Sequence, residues 1–350
     1  MVRRETDDGR REKGSPEEDP LLFPPPAFPP DAEPEVPRPR LRARARSRLS
    51  RGLFILPTLF TVGNLFCGYL SVWCSIRGTF ETAAILIIAA AGTLVLVAAG
   101  IDLSVGAVYA LAGVTAAELG QRTTPAVAIV VAVGVGLAVG LVNGLVVTRL
   151  RINALIATLA MSFVVSGLGT LVTHGNLVVL FEHPEFGDFA RTQIFTVKTS
   201  IWIALVAVVV IGILLARTTA GRYMYAAGGN AEAARLAGVR VDAIRVLTFV
   251  VSGGAAGLAG VIDASRVLSA QASSGDTLAF TVLAGIVVGG TSILGGDGAV
   301  WRTFLGVLFI ALIGNGYDLL GLDPLYEQIT LGVILLLAVA VDAWARQRRT

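Results

Sequence analysis

The chain has 350 residues, 54% hydrophobic and only 15% charged, with a mean hydropathy of +0.74 and a net charge of +3. A soluble domain of this length carries about a quarter charged residues, so the composition excludes an ordinary water-soluble enzyme. Cys67 and Cys74 would stand about 10 Å apart on one helix, and His174 and His183 are the only histidines, which excludes a disulfide framework and a Cys/His metal centre.

Along the chain, residues 1–37 mix Pro, Asp, Glu and Arg and cannot build a core. Residues 38–51 hold seven arginines and no acid (Arg38, Arg40, Arg42, Arg44, Arg46, Arg48, Arg51). Residues 1–51 therefore read as a disordered cytoplasmic tail. An Arg run before an apolar segment pins that side to the cytoplasm and touches anionic lipid, so it speaks for topology and not for nucleic acid. The basic region is too long for a signal peptide, and no small-residue cleavage site follows it cleanly.

Ten apolar blocks follow, at about 53–75, 82–100, 104–118, 125–148, 153–173, 199–216, 247–264, 277–294, 300–320 and 329–344. Each is roughly the length that crosses a bilayer as a helix. The third is short, and the eighth is a candidate for a broken or re-entrant segment. The pattern predicts an all-α polytopic membrane protein of about ten transmembrane helices. With ten crossings, the segments carrying Arg149 and Arg151, the stretch 217–246 and the tail at Arg346, Arg348 and Arg349 share one side. The 174–198 segment, with Glu182, Glu185 and Asp188, falls on the other, so both termini are expected in the cytoplasm. Gly136, Gly140 and Gly144 repeat every four residues, as do Gly253 and Gly257, and make small-residue ridges for packing within the subunit.

No catalytic constellation is visible, and no phosphate loop: the only lysines, Lys13 and Lys198, do not follow a Gly-rich turn. Two segments carry information. Gly100-Ile101-Asp102-Leu103-Ser104-Val105-Gly106 sets a carboxylate between apolar stretches. It reads either as a functional group in a broken helix or as a cap of the helix starting near Ser104. Gly228-Gly229-Asn230 through Gly238-Val239 predicts a two-turn helix on the Arg-rich side, with Asn230 as N-cap, Glu232 at the positive end and Gly238 as its stop. Such a helix is too short to stand alone and needs a docking surface, on a partner or on its own spans. Its Ala233, Ala234 and Ala237 are expected on one side.

From about Ala83 onward the chain resembles the permeases of ribose/xylose-type ABC importers. The matching stretches, in order, are the Gly100–Gly106 segment, Gly140-Leu141-Val142-Asn143-Gly144, Ile152-Asn153-Ala154-Leu155-Ile156-Ala157-Thr158-Leu159, Gly229–Val239, and Val287-Val288-Gly289-Gly290-Thr291-Ser292-Ile293-Leu294-Gly295-Gly296. The resemblance makes 81–345 a permease domain in the inner membrane. It implies a homodimer of permeases, two cytoplasmic ABC ATPase subunits and an extracytoplasmic sugar-binding protein, with no cofactor in this chain because ATP is used by the partner. Asp102, Ser104, Asn143, Asn153 and Thr158 become candidates for the transport pathway. Gly229, Asn230, Glu232, Ala233, Ala234, Arg235 and Gly238 become the helix that couples to the ATPase. The 52–80 segment departs from that family: residues 51–69 are similar to the first span of CDP-diacylglycerol–serine phosphatidyltransferases. The acidic metal motif those enzymes need is absent, because Asp297-Gly298-Ala299-Val300-Trp301-Arg302 lacks the Ala before Arg and the later acids. A lipid head-group transferase is thus the alternative, and a membrane permease for a neutral monosaccharide the expectation.

Overall fold

The computed structural model describes residues 81–195 and 197–347; the expected tail at 1–51 and the expected first span at 52–80 lie outside the described residues. The helices in chain order are α1 (Glu81–Val97), α2 (Val105–Gly120), α3 (Pro125–Arg149), α4 (Ala154–Thr173), α5 (Asp188–Arg191) and α6 (Thr199–Arg217). They continue with α7 (Thr219–Gly229), α8 (Ala231–Leu236), α9 (Val241–Val267), α10 (Leu278–Val288), α11 (Val300–Leu320) and α12 (Pro324–Gln347). Five of them, α3, α4, α6, α9 and most of α11, are long and apolar enough to cross a membrane, and α1, α2, α10 and α12 add four shorter apolar stretches. These nine overlap nine of the ten expected blocks. Helix α10 ends at Val288, well before the expected 294, because Gly290, Gly295 and Gly296 take positive φ and turn the chain.

Two of the shorter helices are inner ones: Ile87, Ile88, Leu94 and Val97 of α1 and Val108, Ala112 and Val114 of α2 are at most 1% exposed. The long α3, α4 and α6 bury only 22% of their apolar window and turn Val130, Phe163, Leu171 and Val206 outward, as lipid-facing helices do. Long α9 is the exception, 61% buried, and it packs on α1, α2 and α3. Its contact with α3 is made by the two glycine ridges: Gly136, Gly140 and Gly144 lie against Gly253, Phe249 and Val246. The ridges therefore pack helix to helix inside the subunit.

That crossing also fixes the two ends of the bundle. Arg149 closes α3 beside the start of α9, so Arg149 and the 217–246 segment share an end. At the opposite end, two-residue strands β1 (Val178–Val179) and β4 (Ser269–Ala270) pair antiparallel, and Leu180 N–H donates to Leu268 O at 2.8 Å. A 3-10 turn, Pro184–Gly187, follows and buries Phe186. Ser265 Oγ donates to Phe186 O at 2.6 Å and accepts from Ala190 N–H at 3.2 Å, while Arg191 Nε donates to Arg266 O at 2.7 Å. A small hairpin, β2 (Gln193–Ile194) with β3 (Val197–Lys198), leads into α6. There the exposed Glu185 carboxyl is held below its ordinary value by its own backbone N–H and by His183, 3.2 Å away.

Candidate transport site and coupling surface

Helix α1 stops where Ala99 takes the left-handed conformation, with Ala99 N–H donating to Leu96 O and Gly100 N–H to Val95 O. The chain then runs as an irregular strap to Ser104, where α2 begins. Irregular backbone deep in an apolar bundle needs partners, and this strap has them. Gly296 N–H donates to Val97 O at 2.9 Å and Arg245 Nε to Ala98 O at 3.3 Å. Leu103 N–H donates to Thr158 Oγ1 at 3.1 Å, and the Thr158 hydroxyl faces Ala154 O at 2.9 Å and Ile101 O at 3.2 Å.

Asp102 is the centre of the strap. Its Oδ1 accepts from Ser104 N–H at 3.1 Å and from Ser104 Oγ at 2.7 Å, and its Oδ2 accepts from Ser252 Oγ of α9 at 2.8 Å. Ser104 spends its one proton on the carboxylate, so its oxygen is left to accept, and Asn143 Nδ2 of α3 donates to it at 2.7 Å. Asn143 Oδ1 is buried without a hydrogen-bond partner. Three donors reach Asp102 and no basic side chain is among them, so hydrogen bonds alone satisfy this carboxylate. The network ties the strap to α2, α3, α4 and α9.

The structure thus brings together four of the five pathway candidates, Asp102, Ser104, Asn143 and Thr158: Ser104, Asn143 and Thr158 are at most 1% exposed, and Asp102 is half-buried. Asn153 stays apart. Its side chain accepts from Leu155 N–H at 2.9 Å as the N-cap of α4, at an exposed position. Ser252, the fourth member of the carboxylate cluster, carries no sequence signal beyond a lone serine in an apolar helix beside Gly253. Ser104 occupies the N-cap position of α2 that the capping alternative gave to Asp102 or its neighbour, and it makes no side-chain cap bond.

The coupling segment lies at the same end as Arg149. Thr218 caps α7 through Gly221 N–H at 3.1 Å, and Tyr225 donates to Gly298 O at 2.6 Å, with burial pushing the phenol's pKa up. Asn230 Oδ1 caps α8 by accepting from Glu232 N–H at 3.1 Å and Ala233 N–H at 3.0 Å. The far end closes as a Schellman turn: Gly238 N–H donates to Arg235 O, Val239 N–H to Ala234 O, and Gly238 takes φ +84°. Arg235 pairs with Asp242 at 2.7 Å. One expectation about this helix changes. Ala233, Ala234 and Ala237 do not share an outward face, because Ala234 is buried against Ala227 and Val241 of its own subunit. Glu232, Ala233 and Ala237 face out, with Leu236, at 85% exposure, the large apolar side chain among them. The inward face of this six-residue helix is Ala231 and Ala234, three residues apart. Gly229 offers open space beside it.

Among the described residues no group of His, Cys, Asp and Glu could hold a metal ion. The family described as branched-chain amino acid transport system / permease component matches residues 75–339. The ribose import permease protein of Escherichia coli strain K12 is 37% identical over 82% of this chain and 87% of its own. The ribose import permease protein of Bacillus subtilis strain 168 is 37% identical, covering 83% and 90%. The L-arabinose transport system permease protein of Escherichia coli strain K12 is 36% identical, covering 85% and 91%. No solved structure matches. These relatives are transport permeases and not enzymes, and they leave the phosphatidyltransferase alternative unsupported. The chain is a multi-pass membrane protein that belongs to the branched-chain amino acid transport system permease-component family.

Proposed function

We propose that this chain is the permease subunit of an ABC importer that moves a neutral monosaccharide, of the ribose or arabinose kind, inward across the inner membrane. The observation that carries this is similarity to ribose and arabinose permeases over more than four fifths of the chain. Two copies form the body, in membrane lipid, by alternating access. A binding protein delivers the sugar at the end built by 174–198. With no phosphate loop in the sequence, ATP is bound and hydrolysed by an ABC ATPase partner. Ten spans place both termini in the cytoplasm. The end carrying Arg149, Arg217, Arg222, Arg240 and Arg245 faces the ATPase, consistent with the positive-inside rule.

In this reading Gly229 through Gly238 is the coupling contact, and it meets the ATPase through Glu232, Ala233, Leu236 and Ala237. Tyr225, Arg245 and Gly296 join that surface to the Asp102 strap, a physical link from the ATPase side into the spans. Co-expression with the ATPase subunit of a ribose-type importer tests the partner: a stable complex is expected, and Leu236→Asp should dissolve it while the variant still inserts. Failure of the wild-type chain to hold any such ATPase would contradict the reading.

A further inference from the structure

After α9 and β4 the chain does not cross to α10 at the outer end; it descends into the protein. Ala270 packs against Gly113 of α2, where an added methyl would stand 3.8 Å from the Ala270 Cβ. Farther on, Gly275 presses on Gly106, and a methyl on Gly275 would stand 3.0 Å from Gly106 Cα. Gly113 and Gly106 lie two turns apart on α2, so the segment sinks about 10 Å along that helix. Gly275 ends about 20 Å below Gly120, which packs under Leu180 and Phe186 of the outer segment. Successive turns satisfy the backbone on the way: Ser274 N–H to Gln271 O, Asp276 N–H to Ser273 O and Leu278 N–H to Gly275 O.

The two faces of this re-entrant stretch differ. Ala272, Gly275 and Ala279 are buried, whereas Gln271, Ser273, Ser274, Asp276 and Thr277 are exposed. Every exposed residue there is polar, at a depth where α3 and α4 expose Val, Leu, Ile and Phe. Irregular backbone does not face lipid in the hydrocarbon region, and a carboxylate such as Asp276 is not stable there unless it meets water or a partner. The exposed face therefore meets water. Just above it is a recess lined by Tyr109 and Gly113 of α2, Asp263 of α9, and Gln271 and Ser274. Asp263 is held in place by Arg266 at 2.9 Å.

We propose that Gln271–Thr277 lines the water-filled path of the solute, and that Asp263, Gln271 and Ser274 receive its hydroxyl groups in passage. An amide, a hydroxyl and a carboxylate around one recess offer donors and acceptors to a neutral polyol and no fixed positive charge for an anion to dwell on, apart from an arginine already paired. This rests on the reading of the chain as a monosaccharide permease. The pathway candidates drawn from the Gly100–Gly106 stretch then act behind the wall, as supports.

The test is cysteine accessibility in the reconstituted transporter, in a Cys67→Ser, Cys74→Ser background, with a charged, membrane-impermeant methanethiosulfonate added on both sides. Ser274→Cys and Thr277→Cys should react, at least tenfold faster than Val130→Cys on the lipid face of α3. A transported sugar from a panel of D-ribose, D-xylose and L-arabinose should slow the reaction at position 274. Gln271→Leu should lower the uptake rate at saturating binding protein at least threefold. Reaction at 274 and 277 no faster than at 130 would overturn the proposal, including the case in which a second copy covers this face. Wild-type transport separates the failures: uptake with unreactive cysteines sinks this inference alone, whereas reactive cysteines without uptake of any panel sugar sink the sugar reading.

Discussion

Gly253→Ala should loosen the bundle at the α3–α9 crossing. A methyl on Gly253 would stand 2.9 Å from both the Cα and the N of Gly140 and closer still to the Gly136 carbonyl. Carbon contacts settle at about 3.5–4.0 Å, so the helices must part by roughly 0.6–1 Å. A gap of that size forfeits a quarter to a half of the dispersion attraction along the contact, and overpacking of this kind costs about 1–3 kcal/mol. No flexible side chain is there to give way, because the opposing atoms are backbone. The controls are Gly134→Ala on α3 and Gly167→Ala on α4, where nothing lies within 4 Å. At those positions alanine should be neutral or stabilise by up to about 1 kcal/mol through helix propensity. The assay is thermal unfolding of the detergent-solubilised chain, followed by size-exclusion fluorescence. Equal melting temperatures for Gly253→Ala and Gly134→Ala would refute the packing argument.

Three further outcomes follow from the site. Ser252→Ala removes one donor from the half-buried Asp102 carboxylate and should cost about 1–3 kcal/mol of stability, seen in the same melting assay, with Asp102→Ala at least as costly because Ser104 and Ser252 lose their acceptor. Ala234→Trp should lower expression and melting temperature by displacing Ala227 and Val241, whereas Leu236→Asp should melt like the wild type and lose ATPase stimulation by solute; the opposite pattern in parallel melting and ATPase assays would reverse the assigned faces of α8. The purified chain alone should show no nucleotide binding at micromolar ATP by equilibrium dialysis, since no phosphate loop is present.

The apolar blocks were legible because a bilayer sets a length, and blocks of that length without charges stand out from any loop. Which helices are inner was not legible. Helix α1 and helix α3 are apolar on all sides, one because protein surrounds it and the other because lipid does, and hydropathy cannot tell the two solvents apart. The caps of α8 could be read from Asn230 and Gly238, whose chemistry is local. The inward turn of Ala234 could not, since it depends on Val241 and Ala227 across a turn. Asp102 stood out as an acid between apolar stretches, but its partner Ser252 lies 150 residues away and looks like any small residue of a packing ridge. The stretch from Gln271 to Asp276 falls between two apolar blocks in the sequence, which says nothing of its depth, and it is the contact of Gly275 with Gly106 that places it deep in the bundle.

The central claim, ATP-driven import of a monosaccharide through this chain, is tested most directly by uptake into proteoliposomes. The chain would be reconstituted with its ATPase, with the sugar-binding protein and labelled D-ribose, D-xylose or L-arabinose outside and ATP supplied to the ATPase side. The account predicts accumulation of at least one of these sugars above the external concentration, abolished by omitting ATP or the binding protein. Equilibration of the sugar without ATP, or no uptake of any of the three with a complex that hydrolyses ATP, would contradict it.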